Sequence, residues 1–257
     1  VEGTPAPVGL GCKLTAPDGS VVEEQNVVAE VGDDGKTTAS CKLTVAEPEP
    51  WYPLGYGDHP LYDLQVALLR DGTVCEEIEK RIGFRHLEMV GEFDFRVNGL
   101  AVKLWGANLT PLPVPGHQWD FHACREIMKW SENCHMISVR AWGPGQPWNE
   151  QLFDEADERG ILMWAEFAHT GGPWPDTEQF RERCRKEAEH WVKAWKHHPS
   201  ILLWCGGNET YLGMDVEVER SVQGGKLFEE TYREVCEQID PDRYYHVNSP
   251  YGGSYGN

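Results

Sequence analysis

The stretch His198-Pro199-Ser200-Ile201-Leu202-Leu203-Trp204-Cys205-Gly206-Gly207-Asn208-Glu209 ends one element, runs through a second and finishes on a carboxylate. Pro199 lacks an N–H and clashes with the preceding turn, so a helix must stop before it. Residues 201–205 are an unbroken apolar run of strand length, the pattern of a parallel strand buried on both faces. Gly206 and Gly207 let backbone and substrate approach closely. Asn208 and Glu209 then lie just past the carboxyl end of a buried strand, where α/β folds collect their chemistry.

Working outward, the same alternation repeats. Residues 177–197 read as a long amphipathic helix and 161–167 as a strand. Residues 149–159 read as a helix capped by Asn149 and ended by Gly160, and 136–141 as a strand. Asp120 caps a predicted helix reaching 133. Downstream, 226–239 read as a helix and 244–248 as a strand. Residues 93–97 and 101–105 flank Asn98-Gly99, a hairpin signal. Alternating strands and helices imply a parallel sheet with right-handed crossovers. Polar or bulky residues close the strands: Asn108, Arg140 with Trp142, Glu166, and Asn208 with Glu209. No G-x-G-x-x-G follows a strand, which disfavours a nucleotide-binding doubly wound sheet.

Before about residue 88 the rhythm is different. Turn residues recur at Pro17-Asp18-Gly19-Ser20, Asp33-Asp34-Gly35-Lys36 and Arg70-Asp71-Gly72-Thr73. Between them lie period-two stretches such as 41–45 and 64–68. The reading is an immunoglobulin-like β-sandwich over 1–90 and the first part of a (β/α)8 TIM barrel over 91–257. A full barrel needs about 250 residues, so this one is expected to be incomplete. The start at Val1, without a Met, is read as processing, trimming or a fragment.

Bulk properties narrow the partners. Lys and Arg total 23 against 42 for Asp and Glu, a formal charge of −19, which repels nucleic acid and anionic membrane. No apolar run reaches bilayer length, and no signal peptide opens the chain. The eight cysteines form no C-x-x-C pair and several sit in apolar runs, as small buried hydrophobes do in a reducing compartment. That tilts localisation toward cytoplasm, which the sequence otherwise leaves open. Cys12 and Cys41 are the one pair considered for a disulfide. There is no H-E-x-x-H, and adjacent His197 and His198 are expected to point in different directions on a helix, so no metal and no cofactor are expected. Eleven tryptophans are mostly core residues, although an indole face also stacks on sugar rings.

Glu209, walled by Trp204 and partly desolvated, would have its pKa raised into the range of a general acid. The bland alternative is a helix-capping or solvated Glu. The segment resembles the acid/base strand of family 2 glycoside hydrolases, the β-galactosidase, β-glucuronidase and β-mannosidase group. Arg81-Ile82-Gly83-Phe84-Arg85, Phe95-Arg96-Val97-Asn98-Gly99, Trp105-Gly106-Ala107-Asn108, residues 136–143 and residues 153–164 resemble further landmarks in the right order. Trp142-Gly143 and Ser249-Pro250-Tyr251-Gly252-Gly253 lean toward the β-mannosidase-like branch.

The resemblance implies a retaining enzyme cleaving terminal β-linked sugars, with Glu209 as general acid/base. Asn208 would hold the sugar 2-hydroxyl. Arg140 would supply donors at the pocket floor, or else form a structural ion pair. Trp142 would be a sugar platform, or else a packing residue. Asn108, Glu166 and His169 are further pocket candidates, and Glu166 also a possible partner carboxylate. The resemblance puts the nucleophile Glu on strand seven, outside this chain. Homo-oligomers or further segments would complete the barrel. The rival is a non-catalytic carbohydrate-binding or scaffold protein of the same fold.

Overall fold

The computed structural model describes residues 8–29, 39–91, 93–110, 121–145, 148–211 and 225–251. The chain divides into two compact units, Val1–Pro50 with Pro60–Phe84, and Trp51–His59 with Arg85–Asn257.

The first unit carries an antiparallel sheet of β1 (Val8–Thr15), β2 (Val21–Ala29), β3 (Tyr62–Arg70) and β4 (Thr73–Ile82), in the order β2-β1-β3-β4. Both described turns follow from their residues. The Asp18 carboxylate accepts the Ser20 N–H at 2.8 Å, and Asp71 and Gly72 both take positive φ, 50° and 75°, as a tight two-residue hairpin demands. Cys12, Leu14 and Tyr62 are buried on this sheet, and the Tyr62 ring meets Phe84 edge-on at 4.9 Å.

The strand expected at 41–45 is not one. Its residues do alternate between half-buried and exposed, but side chains take the place of a backbone ladder. Gln25 donates to the Lys42 carbonyl at 2.9 Å, and Glu23 accepts the Thr44 N–H. The turn expected at 33–36 lies outside the described residues. All eight cysteines are free, so Cys12 and Cys41 are not bridged.

The second unit opens with a small sheet of β5 (Leu87–Met89), β6 (Phe95–Val97) and β7 (Leu100–Val102). Asn98 and Gly99 form the expected turn, with φ of 51° and 79°. Five parallel strands follow: β8 (Gly106–Leu109), β9 (Ser138–Ala141), β10 (Leu162–Glu166), β11 (Ile201–Cys205) and β12 (Tyr244–His246). Between them run α1 (Phe121–Asn133), α2 (Glu150–Arg159), α3 (Glu178–Trp195) and α4 (Tyr232–Ile239), the last entered through a π-helical turn, Leu227–Thr231. Spatial order β12-β11-β10-β9-β8 follows chain order without reversal. A doubly wound sheet would reverse at a switch point, whereas a barrel does not.

Capping fixes the helix ends. The Asn149 side chain accepts from Leu152 N–H, and Gly160 closes α2 at φ 68°. A Cβ there would sit 2.4 Å from His59, so glycine is required sterically as well as conformationally. Thr177 caps α3 by accepting from Phe180 N–H. The Asp120 cap lies outside the described residues. Leu152, Phe153, Val192, Trp195, Tyr232 and Val235 pack from the helices against Met163, Ile201 and Trp204 of the sheet, each large side chain contributing about 1.5–3 kcal/mol. Among the described residues no helix is long and apolar enough to cross a membrane.

The amino end of β11 is pinned by a buried polar node. Asp157 accepts Ser200 N–H at 2.9 Å on one oxygen and His198 Nδ1–H at 2.6 Å on the other. The Trp51 indole donates to the Asp157 carbonyl at 2.9 Å. Arg243 donates to the carbonyls of His198 at 2.6 Å and Ile201 at 2.8 Å, and Arg85 to those of Pro199 and Ile201.

Candidate active site

At the carboxyl end of the sheet, four strands aim polar side chains at one another. Arg140, leaving β9, donates to Glu166 Oε2 through Nε at 3.0 Å and Nη2 at 2.7 Å. The same guanidinium reaches Asn108 Oδ1 at 3.2 Å and Asn208 Oδ1 at 2.6 Å. Glu166 is filled from other sides too: Gly143 N–H donates to Oε1 at 3.0 Å, and the Cys205 thiol lies 3.4 Å from Oε2. Burial pushes the Glu166 pKa above the usual carboxylate range, while the Arg140 charge and the Gly143 N–H oppose the rise. The Arg140 guanidinium and the Gly143 N–H both favour its anion, so it serves as the counterion of Arg140.

Asn208 is locked on both sides, its amide NH₂ donating to Thr170 Oγ1 at 2.9 Å. Short bridges join Thr170 to Asn208 and Asn208 to Ser249, extending the sheet past its regular strands. Glu209 follows with its backbone N–H bonded to the Ser249 carbonyl at 2.9 Å. Its φ of 52° is left-handed, a conformation costing a non-glycine residue about 1–2 kcal/mol. Its side chain is exposed.

The wall expected beside Glu209 is elsewhere. Trp204 faces the helices, fully buried, stacked on Phe167 and donating to Asp240 at 2.8 Å. The glycines also work differently from expectation. A Cβ on Gly206 would lie 2.3 Å from the Tyr245 hydroxyl and the Val247 carbonyl, and one on Gly207 2.9 Å from the His169 carbonyl. Their freedom serves contacts with the protein itself.

A cavity of about 370 Å³ runs along the face of the sheet, from Gly106, Ser138 and Leu162 at the amino ends of their strands to Asn108, Arg140 and Ser249 toward the carboxyl end. That volume is of ligand-pocket size. Arg140 lies 5.9 Å over the Trp164 ring. The structure thus brings together Asn108, Arg140, Glu166 and Asn208, with Glu209 adjoining through the chain. Trp142 is half-buried and ties its N–H to the Leu109 carbonyl at 3.2 Å. His169 points to the helix side, where its ring meets Trp174 at 4.5 Å and the Tyr232 hydroxyl lies 3.0 Å from Nδ1. Burial pushes its pKa down to about 4.

His246 was not among the expected site residues. It closes β12, is 3% exposed, and packs edge-on to Trp164 at 5.3 Å. Burial and the nearby Arg140 charge lower its pKa to about 4, and its Nδ1 has no hydrogen-bond partner. Its strand-end position was the available signal, the same one that singles out Arg140 and Glu166.

A parallel sheet wound in one direction, with a charged cluster at its carboxyl edge, has the arrangement of a (β/α)8 barrel, a fold that collects its functional groups at that edge. Residues 2–85 match the model for glycosyl hydrolases family 2, and residues 151–243 match that family's TIM barrel domain. The chain belongs to glycosyl hydrolase family 2.

Among its relatives, β-mannosidase B of Aspergillus clavatus is 31% identical over 246 residues, 86% of this chain and 28% of the relative. β-Mannosidase B of Thermothelomyces thermophilus is 27% identical, covering 90% of this chain and 30% of that protein. The crystal structure of a β-D-mannosidase from Dictyoglomus thermophilum superposes with a TM-score of 0.87 at 29% identity, over 98% of this chain and 32% of that one. A Bacteroides uniformis β-glucuronidase shares the fold, with a TM-score of 0.78 at 22% identity over 93% of this chain and 29% of that one. The chain thus spans roughly three tenths of the length of the curated relatives it matches.

Proposed function

We propose that this chain carries the acid/base half of a retaining β-glycosidase site, with terminal β-D-mannosides as the favoured substrate class. The observation that carries the reading is Glu209, exposed and left-handed directly after Asn208, beside the Arg140–Glu166 pair. The relatives named β-mannosidase supply the leaning toward mannosides.

In this reading Glu209 protonates the departing glycosidic oxygen and then takes a proton from the attacking water. Asn208 keeps its carbonyl on Arg140 and one N–H on Thr170, which leaves the second N–H for the sugar 2-hydroxyl. Glu166 holds Arg140 in place and is not the nucleophile, since both its oxygens already accept hydrogen bonds. A retaining displacement needs a second carboxylate about 5–5.5 Å from the first, and family resemblance assigns it to strand seven. Asn108 and Arg140, which line the cavity, would set the fit of the glycone.

The test uses the full-length protein and aryl β-glycosides. Glu209→Gln should lower kcat/KM about 10²–10⁴-fold, with the loss greatest for the poorest leaving groups. Full activity in that variant would sink the assignment. Sugar binding with no turnover in the unmodified protein would favour the non-catalytic alternative.

A further inference from the structure

We propose a zinc-binding site formed by Glu150, His197 and His198 at the amino end of the parallel sheet, remote from the candidate active site. One side-chain donor atom from each residue lies within 4.8 Å of the others. The two histidines were expected to diverge as helical neighbours do. Instead α3 ends at Trp195, residues 196–198 form a turn ahead of Pro199, and the two rings lie 4.0 Å apart at 37°. His197 Nε2 sits 3.6 Å from Glu150 Oε1. That is too long for a hydrogen bond. It is close to the roughly 3.4 Å separating two ligands of one tetrahedral zinc with bonds of about 2.1 Å.

His198 supplies the independent sign. It is fully buried, and its Nε2 has no hydrogen-bond partner. Its Nδ1 lies 2.6 Å from an Asp157 oxygen, while the other Asp157 oxygen accepts Ser200 N–H. A carboxylate only accepts, so the imidazole proton sits on Nδ1 and the Nε2 lone pair is left for another partner. A carboxylate that fixes the tautomer and orientation of a histidine is the usual second layer of a zinc site. Buried polar atoms without partners are rare because each costs about 1–3 kcal/mol, and a cation at Nε2 removes this one.

Two imidazoles and a carboxylate suit zinc, whereas calcium and magnesium take oxygen ligands. Side-chain exposures of 17% for His197 and 43% for Glu150 leave an open side for water as a fourth ligand. The site would clip the start of α2 to the turn between α3 and β11. It lies at the end of the sheet where barrels invest in stability and not in chemistry. Its test therefore reads metal content and melting, both independent of any glycosidase activity.

Full-length protein is stripped with chelator, its exposed thiols such as Cys75 and Cys134 are alkylated, and zinc is titrated back. Wild type should take up one more equivalent than His197→Ala or Glu150→Gln, and its melting point should rise by about 5 °C more with saturating zinc. Both substitutions change solvent-reaching side chains, and matching melts without zinc establish that the variants fold. Equal uptake and equal melting response in wild type and both variants would overturn the proposal, because other groups would then hold the metal.

Discussion

The two ends of the parallel sheet each hold a buried carboxylate hydrogen-bonded to a nitrogen side chain. At the amino end, His198 and Asp157 have side chains 0% and 1% exposed. At the carboxyl end, Arg140 and Glu166 are 15% and 0% exposed. Their surroundings differ in kind. The amino-end pair is wrapped by a backbone N–H, an indole beside the Asp157 carbonyl and two arginines on nearby carbonyls, so its satisfied partners are protein groups. The carboxyl-end pair fans out toward Asn108 and Asn208, next to an exposed carboxylate, with Arg140 and Asn108 lining a cavity along the sheet face. One polar cluster closes a gap in the fold, and the other is arranged around space. Polarity and burial alone would rank them equally; what separates them is where the unused valences point.

The sharpest way to break the amino end is Asp157→Ala. It strands the buried Ser200 N–H and His198 Nδ1–H, and truncation of a buried pair costs about 3–5 kcal/mol. Denaturant melts should show that loss, with the slope unchanged. A loss under 1 kcal/mol would mean the node relaxes or floods with solvent.

The matching change at the other end, Arg140→Met, leaves Glu166 with Gly143 N–H and the Cys205 thiol. Because Arg140 keeps some exposure, the expected loss is smaller, about 2–3 kcal/mol. Adding Glu166→Gln should return part of it, since the uncompensated charge is then gone. A double variant as unstable as the sum of both singles would contradict the counterion role.

Acid separates the ends differently. His169 and His246 have folded pKa values near 4, against 6.5 for free imidazole. Below pH 6.5 the unfolded chain binds protons that the folded chain refuses. Their contribution is therefore complete above pH 6.5 and declines toward pH 4, by about 2 kcal/mol per histidine at pH 5. His169→Phe should flatten part of that slope. An unchanged slope would place its titration elsewhere.

How much of this was legible beforehand depended on the kind of pattern. Asn149 and Gly160 bracket α2 as read because caps are local chemistry. The parallel run 201–205 was legible because burial on both faces leaves no polar residue. The ladder of residues 41–45 was misread, since period-two alternation reports which faces are buried and not which groups bond the backbone. The direction of Trp204 was misread because an all-apolar strand gives no clue to which face meets helices. Asn108, Arg140, Glu166 and Asn208 were legible as strand-end residues, yet their mutual bonding was not, since it needs the lateral order of the strands. His246 escaped because a short strand near the end of the alternation carried little signal of its own.

The smallest expected effect on stability falls at the residue with the largest expected effect on chemistry. Glu209 is exposed and held at φ 52° by the Ser249 carbonyl on its own N–H and by Asn248 on the next. Glycine adopts that conformation without strain, although it surrenders more chain entropy on folding. Glu209→Gly should therefore raise stability by up to about 1 kcal/mol, while Glu209→Gln, which keeps the strain, should stay within about 0.5 kcal/mol of wild type. Both should lose glycosidase activity together in the full-length protein. Strain retained at an exposed carboxylate, where glycine would be more stable, has a simple rationale if the carboxylate is needed there. If Glu209→Gly is instead destabilised by 1 kcal/mol or more, the side chain supports the fold, and its left-handed backbone ceases to argue for a catalytic role.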